Sequence, residues 1–307
     1  MIKFYIPDGH LQEKTLALFR RAGFEISMSE RGYNPDIDDP EIVLKRIRPQ
    51  DFPFVISLGK GDLAVTGSDI LEDFRLGNPK SGGEIKKVMD LGFGATRLVT
   101  AVSEEMLPDI KSIKDFARYS VKLKGKGKKA VVATEYYNIA KKYLKDNGVD
   151  AIIDKPAGKT EAWIIPPTPE ADLIIETVET GKTIRENRCR IIDEVMCASS
   201  VLIANKKSLQ DERKKKKINE IVDLFKGALE GKGKVNVFMN VMKEANLKPV
   251  LDILNEYVKK PTINDLRDGG YDVFIVIDEK ELKYLLPKLR GKGASSIAIS
   301  DTRMLIG

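Results

Sequence analysis

Residues 172–184 read DLIIETVETGKTI and concentrate the side chains best suited to chemistry. An apolar run carrying two carboxylates, Asp172 and Glu176, leads into Glu179-Thr180-Gly181-Lys182-Thr183. Small residues in such a loop let backbone N–H groups close around an anion, and the Thr180 and Thr183 hydroxyls add donors. A helix opening at Ile184 would aim its positive end at the same point. The acids stand where they could accept hydrogen bonds from sugar hydroxyls. Two acids followed by T-G-x-T suit a pocket for a phosphorylated ribose, although the same letters also make ordinary strand-to-helix turns.

Such a loop needs a frame, and the rest of the chain supplies one. A length of 307 residues indicates two or three domains, and 42% hydrophobic with 32% charged residues describes a folded globular protein. Strand-like runs at 2–7, 42–47, 62–67, 96–103, 130–136 and 200–205 alternate with helical patterns at 11–22, 52–58, 68–74 and 138–147. Repeating βα units of this kind predict a parallel sheet. Residues 77–86 and the Lys/Gly-rich 120–129 read as loops, with short strands at 151–154 and 162–167. After a helix over 208–229, residues 230–234 form a linker, and 234–300 parses as βαββαβ, with strands at 234–241, about 259–266, 271–278 and 295–300. That order is ferredoxin-like.

Composition narrows the function. A net charge of +6 raises the question of nucleic acid, but the basic residues are scattered and stacking aromatics are few. The densest basic run, 213–217, precedes Ile218, Ile221, Val222, Phe225 and Leu229 at helical spacing, so it opens an amphipathic helix. Small polyphosphate substrates explain the excess charge equally well. Cys189 and Cys197 make neither a disulfide framework nor a metal-ligand pattern. With no spanning apolar run and no signal-like start, the expectation is a cytoplasmic protein with neither membrane nor nucleic-acid partner.

In order along the chain, PDGHL (7–11), RPQDFP (48–53), GDLAVTGSDIL (61–71), LGFGATRLVTAV (91–102), VATEYYNIAKKYL (132–144), GKTEA (158–162) and ETVETGKTI (176–184) resemble motifs of one family. In the tail, MNV (239–241), KKPTI (259–263) and KGASSIAISD (292–301) continue the resemblance. The family is ATP phosphoribosyltransferase in its long form, the first enzyme of histidine biosynthesis. The resemblance implies an α/β fold of two lobes like a type II periplasmic binding protein, followed by the ferredoxin-like domain. Lobe I would comprise 1–98 and 186–229, lobe II 99–185 with the phosphoribosyl pyrophosphate loop, and 230–307 a histidine-binding regulatory domain. Two crossings, near 98 and 185, would form a hinge.

The reaction implied joins N1 of ATP to the anomeric carbon of phosphoribosyl pyrophosphate and releases pyrophosphate, with Mg²⁺ on the leaving group. Adenine N1 already carries a free lone pair, which suits a chain with a single His and no evident acid/base dyad. By the same resemblance, Thr180, Gly181, Lys182 and Thr183 cradle the 5′-phosphate, and Glu179 shares their loop with its carboxylate turned away. Asp172 and Glu176 are the candidates for the ribose hydroxyls or the metal, and Glu161 is a second candidate for ribose or metal contact. Gly9, His10, Arg48 and Asp69 fall on the nucleotide side. Plainer roles remain open: a helix-terminal charge for Asp172, surface ion pairs for Arg48 and Asp69, a turn for His10.

The opening departs from the family pattern P-x-G-R-L, because Asp8 places a carboxylate beside a triphosphate site and His10 replaces Arg. A non-catalytic or regulatory paralogue that binds phosphoribosyl pyrophosphate and an amino acid is therefore the alternative; a bilobed binding protein is a third. In the C-terminal domain, Asn240, Thr262, Ala294, Ser300 and Asp301 fall on the family's effector motifs, with histidine as the implied inhibitor. Long-form members assemble as dimers and hexamers, so a homo-oligomer is expected.

Overall fold

Strands form where the apolar runs are continuous. In chain order they are β1 (Ile2–Pro7), β2 (Ile26–Ser27), β3 (Asp36–Ile37), β4 (Ile42–Ile47), β5 (Leu63–Gly67) and β6 (Ile85–Asp90). They continue as β7 (Thr96–Ser103), β8 (Ala130–Ala133), β9 (Ala151–Asp154), β10 (Leu173–Val178), β11 (Cys189–Ala198) and β12 (Ser200–Asn205). The last four are β13 (Lys234–Val241), β14 (Thr262–Asp265), β15 (Tyr271–Asp278) and β16 (Ala294–Asp301). The computed structural model describes residues 1–29, 32–156, 158–258, 260–267 and 269–307. It divides into one unit of Met1–Leu16 with Ile26–Ile218 and a second of Ala17–Glu25 with Asn219–Gly307.

The first unit holds two five-stranded sheets, ordered β4-β1-β5-β12-β6 and β11-β7-β10-β8-β9. In the first, β4, β1 and β5 run parallel, while β12 is antiparallel to both β5 and β6. Every residue of β5 and β12 is buried, as expected for strands covered on both faces. This is the two-lobed α/β frame expected, with the returning strand inserted into the first sheet. The chain crosses to the second lobe between Asp90 and Thr96, and its return lies at Ser199, not near 185. Residues 189–198 pair along β7 with two register shifts, so CRIIDEVMCA lacks the clean alternation that would mark a strand.

Three local expectations need correction. Most of the supposed loop at 120–129 belongs to a helix, Ile113–Gly125. Its start is fixed by Ser112, whose hydroxyl accepts from Asp115 N at 3.2 Å and donates to Asp115 Oδ2 at 2.8 Å. Within 77–86 lie a one-turn helix, Pro79–Gly82, and the start of β6. Residues 160–164 form a 3-10 helix where a strand over 162–167 was expected.

The second unit has the order βαββαβ and the sheet β14-β15-β13-β16. Its helices Glu244–Leu254 and Leu282–Gly291 bury Val250, Leu254, Leu285 and Leu289 on one sheet face against Val237, Met239, Val273 and Ile275. Lys259, where the motif KKPTI and the expected strand begin, lies outside the described residues. The unit does not begin at 230. Phe19 packs edge-on against Phe225 at 5.0 Å, and Arg21 donates to the carbonyls of Thr302 and Arg303 at 2.9 and 3.0 Å.

The basic run at 213–217 is partly structural. Lys214 Nζ lies 2.7 Å from Asp62 Oδ1, which also accepts from Ser208 Oγ at 2.5 Å, while Asp62 Oδ2 accepts from Lys3 N at 2.8 Å. Burial alone would raise the Asp62 pKa, but Lys214, Lys3 N–H and Ser208 together hold it below its ordinary 3.8. Asp62→Ala is expected to lower the unfolding free energy by about 3 kcal/mol, read by urea denaturation at neutral pH. A carboxylate with a depressed pKa contributes stability that is complete above its unfolded value and lost as pH falls through the folded one. The gap between the two proteins should therefore narrow as pH drops below 3.8.

Candidate active site

The phosphate-type loop follows β10. Gly181, at φ 69°, occupies the left-handed region and caps a short helix, Lys182–Glu186. The left-handed backbone favours glycine, and a Cβ there would also press on Ile191 Cδ1 at 3.2 Å and a guanidinium nitrogen of Arg185 at 3.3 Å. Thr180 Oγ1 accepts from Lys182 N at 3.3 Å, which tightens the turn. The Lys182 ammonium leans out to Glu186 at 3.5 Å, leaving its backbone rather than its charge at the loop. Arg185, absent from the motif residues singled out above, also places a guanidinium nitrogen beside Gly181. Residues 176–184 and Glu161 line a pocket of about 450 Å³.

Glu161 reaches that pocket from the 3-10 helix Thr160–Ile164. Glu176 stands on β10 with its pKa raised, first by burial and further by Glu135; the Thr160 and Thr177 hydroxyls and Thr177 N–H oppose the shift. Its Oε1 accepts from Thr177 N at 2.8 Å and Thr177 Oγ1 at 3.1 Å. Asp172 is not part of this site. It precedes β10, and six strand residues separate its end from the loop by roughly 20 Å. Its Oδ1 accepts from Tyr119 OH at 2.7 Å and Oδ2 from Val131 N at 2.8 Å, so it ties the second lobe together. Burial and Asp172 together push the Tyr119 pKa up.

Among the described residues, no group of three or more His, Cys, Asp or Glu could hold a metal ion. Mg²⁺ commonly takes only one or two carboxylates and completes its shell with water and substrate phosphates. Glu161 and Glu176, lining one pocket, meet that requirement; Asp172 does not.

On the first lobe, Asp8, Gly9, His10, Arg48 and Gln50 line a pocket of about 310 Å³. β1 and β4 are parallel neighbours with Pro7 opposite Ile47, so the segments after them must emerge side by side. Asp69 is absent from that lining. It is buried and accepts from Tyr136 OH, of the other lobe, at 2.7 Å. The Tyr136 pKa is raised by burial and by Asp69, and its hydroxyl also senses Thr177 and Glu176. A third pocket, lined by Gln50, Asp73, Glu135, Tyr136 and Lys155 among others, shares Gln50 with the first-lobe pocket.

In the second unit the five effector candidates do not converge. Asn240 pairs with Asp272 on one side and Ser295 on the other, with Asn264 opposite Asp272, so these four polar residues form a row across the sheet. Ala294 adjoins that row and is buried, and Thr262 lies opposite Phe274. Ser300 and Asp301 pair with Asn236 and Val235, roughly 20 Å along β16 from Ala294. Asp272 and Asn264 become visible only through strand register.

The fold and its pockets define a two-lobed α/β protein with an anion-type loop after β10 and a ferredoxin-like domain. Residues 48–227 match the family described as ATP phosphoribosyltransferase, and residues 231–303 match the HisG C-terminal domain. An ATP phosphoribosyltransferase of Archaeoglobus fulgidus is 44% identical over 255 residues, covering 83% of this chain and 88% of that one. Another, from Chlorobaculum parvum, is 35% identical across 100% of this chain and 98% of its own. The solved ATP phosphoribosyl transferase (HisG:HisZ) complex from Thermotoga maritima gives a TM-score of 0.57 at 22% identity, over 73% of this chain and 98% of that one, a likeness of fold. The chain belongs to the ATP phosphoribosyltransferase family, enzymes of the first step of histidine biosynthesis.

Asp172→Ala is expected to cost about 2 kcal/mol of stability, since Val131 N–H and Tyr119 OH lose their acceptor. Turnover per folded molecule should be unchanged. A fall of roughly tenfold or more in steady-state rate at full folding would return Asp172 to the site.

Proposed function

We propose that the chain transfers the phosphoribosyl group of phosphoribosyl pyrophosphate to N1 of ATP, with the 5′-phosphate held on the 179–183 loop. The observation that carries this assignment is the left-handed Gly181 closing a pocket whose wall also bears Glu161 and Glu176. The backbone N–H of Thr183 and the hydroxyls of Thr180 and Thr183 bind the phosphate, with Lys182 N–H holding the turn through Thr180 and Arg185 as the neighbouring positive charge. Glu179 is exposed, so its carboxylate can stay in solvent. Glu161 and Glu176 accept from the ribose hydroxyls. ATP is held on the first lobe by Gly9, His10 and Arg48, and Asp8 in the same pocket makes Arg48 the more necessary.

Glu161 and Glu176 are also the residues that would hold Mg²⁺, which, when bound, offsets charge on the pyrophosphate leaving group. The protein's own contribution is to place two anionic substrates together and to face developing charge with fixed donors. No strong base is needed at adenine N1.

Histidine acts on the second unit as feedback inhibitor, through the polar row of Asn240, Ser295, Asp272 and Asn264 with Thr262 on the strand that carries Asn264, while Ala294 packs in the core beneath. Homo-oligomer formation, as dimers and hexamers, is supported by the sheet face away from the helices, where Phe238 is 42% exposed and stacks on Phe274 at 4.8 Å. No helix among the described residues is long and apolar enough to cross a membrane; the cytoplasm is the proposed compartment.

Turnover of ATP and phosphoribosyl pyrophosphate with Mg²⁺ and pyrophosphatase, followed by the near-ultraviolet absorbance of N1-ribosylated adenine, tests the reaction. Thr180→Ala should raise KM for phosphoribosyl pyrophosphate at least roughly tenfold, the loss expected for one hydrogen bond to a charged group. An unchanged KM would remove the loop from the site. Asn240→Ala should raise the histidine concentration for half-inhibition by about tenfold, with uninhibited turnover preserved. Equal inhibition of both proteins would place the effector elsewhere.

A further inference from the structure

The helix Tyr137–Asp146 starts without a capping side chain of its own, since Tyr136 at the cap position makes no such bond. Its first amides are met by a carboxylate from the other lobe. Asp73 Oδ1 accepts from Asn138 N at 2.8 Å and Ile139 N at 2.9 Å, and Oδ2 accepts from Asn138 Nδ2 at 3.1 Å. One turn earlier on the same helix, Ser68–Gly77, Asp69 takes the Tyr136 hydroxyl. Residues four apart share a helix face, so both carboxylates grip the single stretch 136–139. Gly77 allows the approach, because a Cβ there would lie 2.5 Å from Asn138 Nδ2.

Helix N-termini carry orphan N–H groups and partial positive charge, both of which a carboxylate satisfies. Supplied across the lobes, the cap becomes a fastener. We propose that Asp73 is a positioning residue for the transfer reaction, fixing the spacing of the two lobes by capping the second lobe's helix from the first. Glu135 and Tyr136 immediately precede the capped helix and line a pocket together with Gln50 of the first lobe. The loop pocket is built wholly from the second lobe, by residues 161 and 176–184. Losing the cap should therefore leave phosphoribosyl pyrophosphate binding intact while spoiling its alignment with ATP. Misplacement by an ångström suffices for large losses in such reactions.

The inference rests on the reaction taking place between these lobes, and amide exchange reads the cap independently of that reading. Asp73→Ala should accelerate hydrogen exchange at Asn138 and Ile139 by roughly tenfold relative to residues 141–145. It should also lower kcat/KM for ATP by roughly tenfold, with the Kd of phosphoribosyl pyrophosphate alone held within about twofold. Asp73→Asn keeps an oxygen facing both amides and should recover kcat/KM to within about threefold. Should Asp73→Ala not fold, Asp73→Ser carries the same test, its shorter side chain offering one oxygen in place of two. Faster exchange with unchanged kcat/KM would reduce Asp73 to a stabilising role, and unchanged exchange would mean the cap does not form; either overturns the proposal.

Discussion

Insertion of β12 between β5 and β6 is the constraint on which the catalytic lobes depend. A chain that leaves one sheet to build a second must come back, and here it returns as a fully buried strand antiparallel to both neighbours. The two crossings are bonded to each other: Leu91 N donates to Ser200 O at 2.9 Å and Ser200 N to Phe93 O at 3.0 Å. Ser68 N donates to Ser199 O at 2.9 Å, joining the return to the start of the helix that carries Asp69 and Asp73. One small region thus ties the two crossings to the carboxylates that reach the other lobe.

Strand direction accounts for where the candidate groups gather. In parallel sheets the carboxyl ends of neighbouring strands emerge together, and ligands favour that edge. Gly9 and His10 meet Arg48 for this reason, as β1 and β4 are in parallel register. The same logic puts the Thr180–Thr183 loop at the far end of β10 and leaves Asp172 at the near end. Chemical type made Asp172 look like a partner of Glu176; four residues of extended chain, about 13 Å, separate them, and Asp172 is engaged by Tyr119 and Val131 instead.

Charge is used more locally than the net value of +6 suggests. Lys214 and Lys217 from the basic run are paired, with Asp62 in one case and with Asp39 and Glu41 in the other. Lys182, the one ammonium in the loop motif, turns to Glu186, while Arg185 stands at Gly181. Backbone conformation, not the lysine, makes the loop suited to an anion.

The order of βα units, the ferredoxin-like tail and the T-G-K-T loop were legible in the residues themselves, because apolar runs, turn glycines and hydroxyls act over a few neighbouring positions. Even there, Ser112 and Asp115 carried a helix-start signal that the Lys/Gly-rich stretch after them obscured. What the residues alone left undecided depended on partners far away in the chain. β11 is a strand because β7 lies beside it, and Asp69 serves Tyr136 because a helix of one lobe faces the other. Asp272 joins Asn240 through sheet register, and Phe19 belongs with Phe225 through packing. Local propensity is written in sequence spacing, whereas which carboxylate caps which amide is settled only when tertiary packing brings the two within hydrogen-bonding distance.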